Sequence, residues 1–348
     1  MHTIPINPME PEVKVSSFHG PSGERSVNVI ATIAIPTIAN GFHSVFPPMP
    51  LLRGATLESD GVLEGIMAGI EDAIIVAGGL GSRMLPASGM VAKESLPLVD
   101  IPAITHLARE AVHAGVKKIH IITSPKKDFS KVIGDNSWIS EKRGDLDRNL
   151  ISPFHDVEVE MHVQNVPRGL GDAINCALSS IKGPFLVLLG DNILLDNYST
   201  PDDYIPSNAS KLLVDKYTET NLPCVGLIPV NDPENYGVVA MNAEKIISIV
   251  EKPERENSPS NLVLCGRYLF TADTADLLSK YNFEKHGELQ SIAIQKHWME
   301  NDGLIGVEYQ NFRWYDSGNP TSWLKGQIEY ALNRKDLSKD IKKWLDHL

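Results

Sequence analysis

Apolar residues along this chain fall into two rhythms. From residue 71 onward, short continuous runs at Ala73–Ala77, Lys118–Thr123 (KIHIIT) and Phe185–Leu189 (FLVLL) read as buried strands. Val157–Gln164 (VEVEMHVQ) alternates with period two and reads as a further strand. Helical patterns fall between them, at Ala103–Ala114, with Gly115 as its C-terminal cap, and at Asp172–Ile181. Strands and helices taking turns in this way predict an α/β fold. The expected form is a doubly wound, mostly parallel mixed sheet, with ligands at the carboxyl ends of its strands.

The second half is richer in strands, expected at Cys224–Val230, Tyr236–Met241, Ile246–Val250, Leu262–Phe270 and Ile305–Tyr309. Helices are expected at Thr274–Lys280 and Leu289–Glu300, and a turn at Trp314–Gly318. A helical region, Thr321–Leu348, closes the chain. It is a candidate assembly surface for a homodimer or homotetramer, against the plainer reading of a helix packed on its own domain. Residues 124–150 are polar and mixed. Residues 1–70 hold many Pro and Gly residues and one apolar run, Val27–Ile38. The chain thus divides into a loosely ordered N-terminal extension (1–70), a main domain (71–335) and a C-terminal helical tail (336–348). A start at Met67, just before the first strand, is the alternative account of the extension.

Composition narrows the class. With 348 residues and 42% apolar content, the chain can bury one large α/β domain. A net charge of −12 argues against a nucleic-acid partner held through its phosphates. The run Val27–Ile38 is too short and too polar to span a bilayer, and it lacks the basic flank of a secretory signal. Cys176, Cys224 and Cys265 are odd in number, widely spaced and without a C-x-x-C metal pattern. Buried thiols in a reducing cytoplasm fit them.

The most informative stretch is AIIVAGGLGSRMLPASGMVAKESLP, residues 73–97. A strand runs into Ala77, Gly78, Gly79, Leu80 and Gly81, which would leave backbone N–H groups open at the end of a sheet. Missing Cβ atoms let such amides close on a phosphate. Arg83 and Lys93 add positive charge in the same place, so the stretch reads as a nucleoside triphosphate cradle. Two commoner motifs fit less well. A dinucleotide loop needs a third glycine where Met84 stands, although Asp100 lies near the position of its acid. A Walker loop needs Gly-Lys-Ser or Gly-Lys-Thr, which does not occur here.

Five further motifs stand at or beside predicted strands and helices. Gly169-Leu170-Gly171 opens a helix five residues beyond Gln164, as a second loop of close approach. Gly190-Asp191-Asn192 follows the FLVLL strand, which points the Asp191 carboxylate toward the ligand crevice. It is the right kind of ligand for Mg²⁺, against the plainer role of capping a turn. Tyr236-Gly237-Val238-Val239 is a strand with a glycine in it. Val250-Glu251-Lys252-Pro253 ends a strand, where a bend at Pro253 would bring Glu251 and Lys252 into one crevice. Tyr315-Asp316-Ser317-Gly318 reads as an aspartate turn.

Together these motifs, in this order and across residues 71–335, resemble the sugar-nucleotide pyrophosphorylases. They are most similar to the bacterial UTP–glucose-1-phosphate uridylyltransferases, with the glucose-1-phosphate thymidylyltransferases next. Ser260-Asn261-Leu262 and Gly266-Arg267-Tyr268 add to the likeness, while GDNI at 190–193 leans toward the thymidylyltransferases. The resemblance implies a Rossmann-like nucleotidyltransferase fold and UTP (or dTTP) plus glucose 1-phosphate as substrates. It implies Mg²⁺ on Asp191 and Asp316. It places the triphosphate on Arg83, Lys93 and the loop Ala77, Gly78, Gly79 and Gly81, and the nucleobase at Gln164 and Gly169. It places the sugar phosphate at Gly237, Glu251 and Lys252. For Gln164 the plainer reading is a surface residue at a strand end. The sequence departs from the family pattern at Asp172 (usually His or Thr), Gly89 (often Lys) and Ala293 (usually Asp). These departures keep open a second reading, a nucleotide-sugar-binding regulatory homologue without chemistry. A nicotinamide-dependent oxidoreductase is the third, opposed by the missing glycine.

Overall fold

A computed structural model describes residues 69–280 and 291–347, together with two N-terminal strands. The chain divides into two units, residues 1–58 and 59–348. In the first, β1 (Val15–His19) pairs antiparallel with β2 (Arg25–Val29), Val15 opposite Val29 and His19 opposite Arg25. This hairpin was not anticipated; most of the predicted 1–70 extension, including nearly all of the Val27–Ile38 run, lies outside the described residues.

The second unit is organised by one nine-stranded sheet. β3 (Asp72–Val76) lies at the centre of its parallel half, between β6 (Lys118–Thr123) and β8 (Phe185–Leu189), with β7 (Glu158–Val163) outside β6. Each residue of β3 from Ala73 to Ile75 is fully buried, which is why the run carries no polar alternation. Helices cover both faces of this half. Ala73 and Ile75 pack with Ile104, Leu107 and Ala111 of the helix Ala103–His113. Ile74 packs on the other side with Ala173 and Ile174 of the helix Leu170–Asn175.

The sheet continues beyond β8 with β13 (Leu262–Phe270), antiparallel to it. β13 also pairs with β10 (Cys224–Pro229) and β11 (Gly237–Asn242); β12 (Lys245–Glu251) and β14 (Ile305–Glu308) complete a closed circuit back to β10. The pairings here are antiparallel except β10 with β14. The expectation of a mostly parallel sheet therefore holds for the β8-β3-β6-β7 half only. Consecutive strands β11 and β12 are joined too briefly for a crossover helix, so they can only turn back antiparallel.

Three smaller pieces escaped the sequence pattern. β4 (Pro97–Leu98) and β5 (Ile101–Pro102) form a small hairpin. The helix Ala209–Thr220 packs Leu213 onto the core beneath a largely polar surface. β9 (Asn192–Leu195) pairs antiparallel with β15 (Arg313–Asp316), where a turn was expected. The expected helix at Leu289–Glu300 is described from Ser291 to Glu300, its first two positions lying outside the described residues. No helix among the described residues is long and apolar enough to cross a membrane.

One buried ion pair ties these parts together. Arg267 of β13 and Glu110 of the helix Ala103–His113 have side chains 0% and 2% exposed. Arg267 Nε donates to Glu110 Oε1 at 2.7 Å and a second guanidinium nitrogen to Oε2 at 2.9 Å. The same guanidinium donates to the carbonyl of Asn192 at 2.9 Å, and Ser210 Oγ donates to Glu110 at 2.5 Å. Removing one partner of such a pair leaves an uncompensated charge. Glu110→Ala should lower stability by about 3–5 kcal/mol, seen as a lower urea midpoint at unchanged slope. An unchanged midpoint would show that Arg267 is neutralised elsewhere.

Candidate active site

The glycine loop leaves β3 as expected. Ala77 still belongs to the sheet, donating its N–H to Ile122, so the candidate anion cradle begins at Gly78. Gly81 sits at φ 65°, a left-handed conformation that suits a residue without Cβ. A Cβ there would also lie 3.0 Å from the Lys93 side chain, which crosses beside the turn. Ser82–Met84 then form a short 3₁₀ turn that leaves Arg83 exposed.

The strand β9 explains the carboxylates. Asp191 follows Gly190 at the end of β8, and the pairing of Asn192 with Asp316 brings the second aspartate beside it. Ser317 N–H donates to the Asp191 carbonyl at 2.9 Å. The Asp316 carboxylate accepts from the Gly318 N–H at 2.5 Å, and a guanidinium nitrogen of Arg83 lies 3.2 Å from where a Gly318 Cβ would stand. Burial pushes the Asp316 carboxyl above its ordinary range. The Asp191 charge pushes the same way, while the Gly318 N–H, Arg83 and Lys93 oppose it. Two carboxylates held this close, one partly buried, fit a hard divalent cation with oxygen ligands.

Lys93 is 8% exposed and its ammonium pairs with Asp191. Its neighbour Glu94 is fully buried and holds Lys127 through two contacts, 2.7 and 2.9 Å. Lys127 also donates to the Ala77 carbonyl at 2.7 Å, which fixes the exit of β3. Burial pushes Glu94 up and Lys127 down, each restrained by the other's charge. Lys127 was missed in the sequence. Its only signal is a Pro-Lys-Lys segment beyond the end of β6. Gly89, where relatives of the motif often carry Lys, lines a cavity of about 280 Å³ with Lys126, Lys127 and Lys131.

Gln164 follows the end of β7 at 8% exposure, and its Oε1 lies 3.1 Å from the Cβ position of Gly78. Its amide nitrogen donates to Asp172 at 2.7 Å and to the Gly169 carbonyl at 3.3 Å. The unusual Asp172 therefore orients Gln164. Gly169 takes φ 105° at the entry to its helix.

A cleft of about 680 Å³ gathers most of the remaining candidates. Arg83, Asp191, Gly237, Glu251, Lys252 and Asp316 line it together. Gly237 and Glu251 face each other across β11 and β12, with a glutamate oxygen 3.0 Å from the Gly237 Cβ position. The anticipated bend falls at Lys252 rather than Pro253. Lys252 adopts φ 44°, a strained conformation for a residue with a side chain, and its N–H bonds the Tyr236 carbonyl. That twist lets Glu251 and Lys252 share one cleft although strand neighbours normally point apart. Trp314 Nε1 donates to the Asn192 side chain at 2.9 Å and its ring packs on Tyr236 at a 5.0 Å centroid distance, closing the cleft wall.

The raised Asp316 pKa makes a stability prediction. Above that pKa the folded state bears a charge it disfavours; as pH falls through it the carboxyl protonates, and the penalty vanishes below the unfolded value of 3.8. Asp316→Asn should therefore raise the thermal midpoint at pH 7 in metal-free buffer. The gain should shrink as pH drops toward 4. A variant less stable than the native chain at pH 7 would overturn this assignment.

A family profile described as nucleotidyl transferase matches residues 72–332. A UTP–glucose-1-phosphate uridylyltransferase of Streptococcus pneumoniae is 32% identical over 80% of this chain and 96% of its own length. The enzyme of that name from Staphylococcus epidermidis is 33% identical over 81% and 99%. Among solved structures, a UTP-bound UGPase from Acinetobacter baumannii is 28% identical and superposes with a TM-score of 0.68, covering 80% of this chain and 99% of that one. With its glycine loop, paired aspartates and strand order accounted for, the chain belongs to the nucleotidyl transferase family.

Proposed function

We infer that this protein joins UTP and glucose 1-phosphate into UDP-glucose, releasing pyrophosphate. One observation carries the reading: two carboxylates, Arg83 and the Glu251–Lys252 pair line a single cleft. Two relatives above 30% identity bear the uridylyltransferase name, and a UTP-bound structure shares the fold.

The reaction needs no protein nucleophile. A phosphate oxygen of the sugar phosphate forms a new bond to the α-phosphorus, and the bond from that phosphorus to the bridging oxygen breaks, with the electron pair leaving on pyrophosphate. Two anions must be brought together, so positioning and charge neutralisation do most of the work. Arg83 and the amides of Gly78, Gly79 and Gly81 hold the triphosphate. Gln164, set by Asp172, and Gly169 border the base. Lys252 binds the sugar phosphate and offsets its repulsion from the triphosphate, while Glu251 accepts hydrogen bonds from the sugar beside Gly237. Lys93 balances charge next to Asp191. Asp191 and Asp316 would hold Mg²⁺, which would supply charge neutralisation at the α-phosphate.

The exposed Leu324 and Ile328 of the closing helix Pro320–Asn333 support assembly into a homodimer or homotetramer through that face. Three free thiols fit a cytoplasmic enzyme.

Pyrophosphate release should require UTP, glucose 1-phosphate and Mg²⁺ together, and excess chelator should abolish it. dTTP should serve less well by a modest factor, since the bases differ by one methyl. Asp191→Asn should lower kcat at least about 100-fold in a folded protein. Silence of the native chain would sink the reaction; near-normal turnover of the variant would sink the metal assignment. We also propose that residues 1–70 lie outside the catalytic unit. A chain beginning at Met67 should keep its turnover within about twofold, and an insoluble or inactive product would count against that boundary.

A further inference from the structure

The parallel half of the sheet carries a second group of ligand-type side chains that the reaction does not use. His120 of β6 is fully buried, and its Nδ1 lies 3.0 Å from Nε2 of His162 on β7. Glu160, two residues before His162 and on the same face, places Oε1 3.7 Å from that Nε2 and Oε2 3.8 Å from His120 Nδ1. These three residues form the one His/Cys/Asp/Glu cluster among the described residues whose ligand atoms converge within 4.8 Å.

The surroundings fix which nitrogen of His120 faces the cluster. His120 Nε2 lies 3.0 Å from Asp72 Oδ1, a contact that calls for an N–H on that nitrogen. A neutral His120 therefore turns its Nδ1 lone pair toward His162 Nε2, 3.0 Å away. The Glu160 carboxylate borders the same gap, within 3.8 Å of both rings. A cation there takes both ring nitrogens and Glu160 as ligands at once.

We propose that His120, His162 and Glu160 bind a divalent first-row transition cation of the zinc class, at a site separate from the aspartate pair. The dimensions suit it. Two imidazoles on one tetrahedral zinc stand about 3.3 Å apart, given zinc–nitrogen bonds of about 2.0–2.1 Å. The two nitrogens, 3.0 Å apart, need separate by only about 0.3 Å. The buried ring has the surroundings that metal-binding imidazoles use, with the Asp72 carboxylate on its other nitrogen. Ser180 Oγ donates to Glu160 at 2.9 Å and Lys118 at 2.8 Å, orienting the third ligand. Lys118 is balanced by Glu158, also at 2.8 Å, so Asp72, Glu158 and Glu160 outnumber the one ammonium. Glu160, 37% exposed, gives the ion a route in. Imidazole donors select against Mg²⁺, so the two sites separate their metals by ligand chemistry. The bound ion would join β6 to β7 and, through Asp72, to β3.

The test uses the full chain without a histidine tag, stripped of metal and titrated with Co²⁺. Near one equivalent should bind with the visible absorption bands of a tetrahedral cobalt site, bleached by Zn²⁺, and the thermal midpoint should rise. Binding should weaken at least about tenfold in His162→Asn and in Glu160→Gln, and persist in Asp191→Asn. Glu160 is partly exposed, so its variant keeps the test open if the His162 variant fails to fold. Absence of the bands at saturating Co²⁺, their survival in a folded His162→Asn or Glu160→Gln, or their loss in Asp191→Asn would each overturn the proposal.

Discussion

The Arg267–Glu110 pair is the constraint on which the site rests. Neither charge can be left alone out of water, so the helix Ala103–His113 and β13 must meet where they do. The guanidinium then spends a further N–H on the carbonyl of Asn192, the residue after Asp191. In this way a buried electrostatic requirement sets the start of β9. β9 in turn pairs with β15 and sets Asp316. The two carboxylates are neighbours because β9, held at its start by this pair, takes β15 as its partner.

Acids outnumber bases along the cleft: Asp191, Asp232, Glu234, Glu251 and Asp316 stand against Arg83 and Lys252. The chain as a whole carries −12, and the cations around the glycine loop are local. Lys93 stands against Asp191 and Lys127 against Glu94, while Arg83 and Lys252 are exposed. The buried Lys127–Glu94 pair anchors the glycine loop through the Ala77 carbonyl, leaving the exposed cations to face ligands. A buried pair beneath and exposed cations above suit a reaction dominated by electrostatic positioning.

The histidine cluster follows a different donor chemistry from the aspartates. Carboxylate oxygens at strand ends suit a hard ion brought by phosphates; imidazole nitrogens inside a sheet suit a softer one held by protein alone. Asp191 leaves the carboxyl end of β8 and Asp316 stands on the separate β9–β15 ribbon, whereas the histidines share a face of β6 and β7.

Much of the parallel half was legible in the sequence, because buried strands and their glycine exits leave strong local signals. Ala73–Ala77, Lys118–Thr123 and Phe185–Leu189 appear at or within one residue of their expected limits. The helix Ala209–Thr220 was not legible: it buries only a narrow apolar stripe, and its polar residues mask the period. The short strands β9 and β15 carry no pattern of their own and exist because they pair with each other. What the sequence determined by itself was local: which segments are strands, where the glycine loop breaks, and which acids and bases stand at strand ends. Only the tertiary structure decided which of these meet: Asp191 with Asp316, Lys127 with Glu94, Gln164 with Asp172, His120 with His162. Strand pairing and the neutralisation of buried charge act between residues far apart in the chain, and spacing along the chain does not encode them.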